Sequence, residues 1–113
     1  MKRWFLLAAL AAATTASAHH GWSEYDTDKP LQLNGTIQEA GYVQPHGWIR
    51  LKSAGKTWLV VLAPPGRMES RGLPKDKLAV GAGASVVGYP HRTRPGEMRA
   101  ERITIGSKTT ELR

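Results

Sequence analysis

The run Thr57-Trp58-Leu59-Val60-Val61-Leu62 constrains the fold most. Six consecutive β-branched, aromatic and aliphatic residues suit a central strand rather than a surface one. Pro64-Pro65 stops that strand. Proline is favoured at a first helical position, so Gly66 to Arg71 predicts one or two helical turns. Gly72 stands where a left-handed cap would close them, and Pro74 follows as a stop.

Four further strand-like runs flank this centre. Leu31 to Ala40 alternates around Leu31, Leu33 and Ile37. Its Asn34-Gly35 pair predicts a bulge or bend within one strand. Tyr42 to Lys52 holds Trp48, Ile49 and Leu51, with Pro45 confining its start to an edge or bend. Ser53-Ala54-Gly55 is a turn. Ala84 to Tyr89 and Met98 to Ile105 supply the last two strands, joined by a loop carrying Pro95-Gly96.

Three strands, a short helix and two strands is the element order of a small five-stranded OB-like barrel, in a mainly β chain. Closure buries one face of each strand and hides the edges. The expected core is Leu33, Ile37, Ile49, Leu51, Leu59, Val61, Val86, Ile103 and Ile105. An open sheet or sandwich of the same strands is the alternative.

The amino terminus reads as a secretory signal peptide over residues 1–18. Lys2 and Arg3 form its basic end, Trp4 to Ala13 its apolar run, and Ala16-Ser17-Ala18 its small-residue cleavage site. Ten apolar residues span about 15 Å as a helix, while a bilayer core needs roughly 20 residues. No second such run follows, so no transmembrane segment is expected in the mature chain. The expected location is periplasmic or secreted. Cleavage after Ala18 leaves 95 of the 113 residues, enough for one domain. These divide into an arm at 19–30, the OB-like domain at 31–106 and a polar tail at 107–113.

Loss of Lys2 and Arg3 lowers the formal charge from +7 to +5. A moderately basic exported domain suits an anionic envelope component, and export argues against nucleic acid. There is no cysteine. That removes thiol catalysis, zinc–cysteine sites and cysteine-ligated copper.

Four histidines carry the candidate chemistry: His19, His20, His46 and His91. Cleavage after Ala18 makes His19 the first residue, and its α-amine and Nδ1 then form a bidentate chelate. One further imidazole, from His46 or His91, favours Cu(II) among the divalent ions. In an OB-like barrel the two strand ends carrying His46 and His91 can share a rim. Glu24 and Asp26 are candidate carboxylate neighbours. His46 and His91 each follow a proline, and a loop histidine there also serves to cap a turn. Met68 and Met98 read as packing residues rather than Cu(I) ligands.

A second candidate is a basic, aromatic face for an anionic partner, built from Arg92, Arg94, Arg99 and Arg102 with Trp48 and Trp58. A solvated basic surface is its bland counterpart. Gly81-Ala82-Gly83 lacks the third glycine of a dinucleotide fingerprint and reads as a turn. No nucleophile elbow or Ser-His-Asp order stands out, so no catalytic residue is assigned and no enzyme activity is expected.

Several segments together resemble a family of small exported bacterial proteins catalogued as a domain of unknown function. They are Ala18-His19-His20-Gly21, Pro45-His46-Gly47-Trp48-Ile49, Leu62-Ala63-Pro64-Pro65-Gly66-Arg67-Met68, Val86-Val87-Gly88-Tyr89 and Met98-Arg99-Ala100-Glu101-Arg102-Ile103. Gln44 stands where that family commonly carries Asn. The resemblance implies an envelope location and a compact β fold, and it supplies no activity.

Overall fold

The computed structural model describes residues 21–113. The expected signal peptide at residues 1–18 and the His19–His20 pair lie outside the described residues. Six strands follow in order: β1 (Leu31–Gly41), β2 (Trp48–Ser53), β3 (Lys56–Val61), β4 (Gly83–Pro90), β5 (Glu97–Ile105) and β6 (Lys108–Glu111). One short helix, α1 (Pro65–Ser70), lies between β3 and β4.

The sheet order is β3-β2-β1-β4-β5-β6, and a parallel β3–β5 pairing closes it. The first five strands therefore form an OB-like barrel, with β6 added along β5. β1 makes closure possible by serving two neighbours. Its first half pairs with β4 and its second half with β2, the two meeting at Thr36. Gly35 lies at that handover, where a Cβ would collide with the Lys52 carbonyl oxygen. The glycine is needed for close backbone approach, and β1 runs through it as a continuous strand. The irregularity in β1 falls between Ile37 and Glu39 instead.

The β2–β3 turn places Ala54 at φ 52° and Gly55 at φ 79°. Two positive φ values in a two-residue loop give a hairpin whose twist matches its strands. After α1, the Gly72 amide bonds the Glu69 carbonyl at 3.1 Å and the Leu73 amide bonds the Met68 carbonyl at 2.8 Å. This is a Schellman cap, with Gly72 at φ 86°. Met68 and Leu73 are both buried, so the cap also seals one end of the barrel.

The core contains Ile37, Ile49, Leu51, Val60, Leu62, Met68, Val86, Met98, Ile103 and Leu112, all essentially inaccessible. Both methionines are thus packing residues. Leu33 and Ile105 are half-buried against the core. Leu59 and Val61 depart from expectation. The interior residues here are Val60 in β3 and Leu62 just after it, and their neighbours face outward. A run that is apolar at every position has no alternation from which to read its inner face.

The tail also departs from expectation. Gly106-Ser107 makes a tight turn, and β6 pairs with β5 from Ile105↔Lys108 to Arg102↔Glu111. Thr110 and Leu112 turn inward, 3% and 1% exposed. Lys-Thr-Thr-Glu shows no apolar alternation, so the segment reads as polar from sequence.

Candidate functional site

The outward face of β2, β3 and β5 carries the most chemistry. Register places Trp48 opposite Val61 and Arg50 opposite Leu59. Across the closing pair, Leu59 meets Glu97 and Val61 meets Arg99. These six side chains form the floor of a cavity of about 470 Å³. Pro45 and His46 from the β1–β2 loop, Arg94 from the β4–β5 loop, and Glu24 and Tyr25 from the arm complete its walls. In OB folds the β2–β3 face and these two loops are the usual place for ligands.

The arm is fastened across this face. A 3-10 turn at Trp22–Glu24 leads to Tyr25, which bridges to His91 in antiparallel fashion. The Asp26 amide donates to the Pro90 carbonyl and the Arg92 amide to the Glu24 carbonyl. Tyr25 is 6% exposed, and its hydroxyl donates to Glu97 Oε2 at 2.8 Å. Burial first, and the carboxylate bond second, push the Tyr25 phenol above its ordinary range. The second Glu97 oxygen faces the Arg94 guanidinium at 3.5 Å. Glu97 and Arg99 lie on the barrel's outside yet are 7% and 6% exposed, because the arm covers them.

Arg99 joins the arm to the β1–β2 loop. Its Nη2 lies 3.2 Å from His46 Nε2, and its guanidinium lies 4.4 Å from the Trp22 ring centroid. Guanidinium only donates, so His46 presents Nε2 as the acceptor. Burial lowers the Arg99 pKa, with Tyr25 and Glu24 opposing that shift. The Arg113 guanidinium also lies 4.4 Å from the Trp22 ring centroid.

His46 lines the cavity and His91 stands behind its wall. The His91 Nδ1 accepts from the Thr93 and Arg94 amides at 3.1 and 3.0 Å. That leaves the ring proton on Nε2, which faces Glu24 Oε1 at 3.2 Å. His91 therefore caps the 91–94 turn and holds the carboxylate of the arm. Among the described residues, no three His, Asp or Glu side chains are grouped to hold a metal.

The six basic and aromatic candidates do not form one surface. Arg94, Arg99 and Trp48 meet at the cavity. Arg92 is exposed, bonding the Ser23 carbonyl at 2.9 Å with Asp26 at 3.9 Å. Arg102 lies over β6, 3.0 Å from Glu111. Trp58 opposes Leu51 on the inward side of the hairpin and packs against the core, with the Lys56 ammonium 4.3 Å from its ring centroid. Arg50, Tyr25 and Glu97 are site residues that the sequence-derived set does not include. Arg50 is legible as the outward neighbour of Ile49, whereas Tyr25 and Glu97 meet across 72 residues.

A family model matches residues 7–99. The chain belongs to DUF6152, a family of unknown function. No curated protein matches the chain. Among solved structures, it is similar to part of TiaS in its complex with an isoleucine tRNA and ATP, with TM-score 0.54 and 16% identity over 79% of this chain. A ZRD-deleted mutant of TiaS in complex with agmatine gives 0.57 and 14% over 77%. The match spans 20% and 27% of those chains. At such identities the likeness shows the fold alone. Among the described residues, no helix is long and apolar enough to cross a membrane.

Proposed function

We propose that this DUF6152 chain is a non-catalytic binding module exported to the bacterial envelope, and that its cavity receives an anionic component there. The supporting observation is the convergence of Arg50, Arg94 and Arg99 from three elements on one apolar-floored cavity. The acids present are already engaged. Glu97 takes the Tyr25 hydroxyl and Glu24 faces His91. The Arg50 and Arg94 side chains are 48% and 68% exposed, so they are the charges an arriving anion meets. Arg50 pairs with Glu39 at 3.3 Å on the surface, a contact weak enough to exchange for a ligand.

Titration of the processed chain with anionic vesicles and anionic polysaccharides at low and high salt tests this reading. Binding should weaken with salt and with Arg50→Gln or Arg94→Gln, and change little with Arg102→Gln. Absence of binding to every anionic probe at low salt would exclude it.

A second reading is Cu(II) binding, with His19 supplying its α-amine and Nδ1 after cleavage. The position of His46 favours it. His46 lines the cavity beneath an arm anchored by Trp22, and the backbone from His19 to Trp22 spans at most about 11 Å. His46 is the better placed of the two, because it lines the cavity and His91 does not. Copper titration of chain beginning at His19, beside chain with one extra amino-terminal residue, tests the chelate. Tighter binding by the first supports it, and equal weak binding by both rules it out.

A further inference from the structure

We infer that the anionic component is an acidic oligosaccharide lying along a two-part groove. The inference rests on the anionic-ligand reading and names its chemistry. A second cavity of about 440 Å³ adjoins the first and shares Arg50, Leu59, Arg94 and Glu97 with it. Its own contributions are Lys56, Thr57, Pro95 and Gly96. Each volume lies within the roughly 300–1,000 Å³ usual for small-molecule sites. Arg50 and Arg94 line both compartments, and Lys56 belongs to the second. The cations thus recur along the groove rather than gathering at one point. A small inorganic anion needs only one such point. A chain with an acid on successive units matches several.

The uncharged chemistry narrows the class further. A sugar hydroxyl both donates and accepts, so its site needs groups of both kinds. The arginines donate, the Glu24 carboxylate, 31% exposed, accepts, and the Thr57 hydroxyl of the second compartment can do both. Trp48, Leu59, Val61 and Pro45 give the apolar surface that the C–H face of a sugar ring covers. Single-stranded nucleic acid fits less well. It needs successive exposed rings along a cationic track, and among the described residues the rings lining the compartments are Trp48, the buried Tyr25 and the His46 imidazole beside Arg99, all in the first compartment.

The experiment titrates the processed chain with galacturonate and its dimer, trimer and tetramer. A neutral oligosaccharide of equal length, inorganic phosphate, anionic vesicles and a single-stranded oligonucleotide serve as the other arms. The tetramer should bind at least about tenfold more tightly than the monomer and than the neutral tetramer. Arg94→Gln should weaken every acidic ligand. Lys56→Gln should weaken the tetramer more than the monomer. Both side chains are at the surface, and unchanged thermal melting establishes that the variants fold. Equal affinity for monomer and tetramer would overturn the inference, as would no effect of Lys56→Gln on the tetramer. Tighter binding of vesicles, phosphate or the oligonucleotide would overturn it while leaving an anionic ligand in place. No binding to any anionic probe would remove both readings.

Discussion

The Tyr25 hydroxyl is a buried polar contact that fastens the arm to the barrel wall. It donates to Glu97 at 2.8 Å, and the tyrosine ring meets His91 edge-on at 5.0 Å. Tyr25→Phe keeps the ring and removes the bond, leaving a buried carboxylate with one fewer donor. The expected loss is about 1–3 kcal/mol in chemical denaturation near neutral pH. Alkali supplies a second readout. The folded pKa lies above the ordinary 10.0. The folded chain therefore keeps the phenolic proton after the unfolded chain has released it. This stabilisation is complete below about pH 10 and is lost as pH rises beyond it, by up to about 1.4 kcal/mol per pH unit. Phenylalanine has no such proton. The stability gap between wild type and Tyr25→Phe should therefore narrow between about pH 9 and about pH 11. A constant gap would show that the buried phenol has no such linkage.

At the scale of elements, β3 shows what was legible and what was not. Pro64-Pro65, Gly72 and Pro74 bracket α1 in the sequence, and the helix lies at Pro65–Ser70 as local chemistry dictates. The strand before it was equally clear as a strand. Its orientation was not, because Trp58 to Leu62 is apolar at every step and either alternate set fits a core. That ambiguity was itself a signal. A strand apolar on both faces needs cover on both. In this barrel the core covers Val60 and Leu62, while the arm and cavity lie over Leu59 and Val61. The two faces should respond differently to truncation. Val60→Ala removes methyls from a fully enclosed position and should destabilise by about 1–3 kcal/mol. Leu59→Ala opens onto an existing cavity, so it should destabilise less than its larger volume change implies and should weaken ligand binding. Equal or reversed stability effects would contradict the assigned faces.

For the whole molecule, the fold was more legible than the site. The succession of the first five strands and the helix along the chain follows from local patterns, whereas the site depends on contacts that closure creates. Register across β3–β5 brings Glu97 beside Leu59 and Arg99 beside Val61. Only then can Tyr25 and His46 reach them, from opposite sides of the β1 strand in sequence. The carboxyl-terminal strand is hidden in the sequence for a related reason. Its inward residues, Thr110 and Leu112, are too few to show a period, and their value lies in what they meet. Leu112 is 1% exposed, and its carbonyl accepts from the Arg67 guanidinium of α1 at 3.1 Å. Arg71, after the helix, likewise donates to the Glu111 carbonyl at 2.8 Å. The tail thus ties β5 to the helix that seals the barrel. If it is part of the barrel's cooperative unit, Leu112→Ala should destabilise the whole domain by about 2–5 kcal/mol, as for a buried core leucine. Val80, 71% exposed, is the control, and Val80→Ala should stay within about 0.5 kcal/mol. Denaturation followed by tryptophan fluorescence and by far-UV circular dichroism should give one coincident transition for Leu112→Ala, shifted to lower denaturant. A midpoint matching wild type would mean that the tail packs on the domain without supporting it.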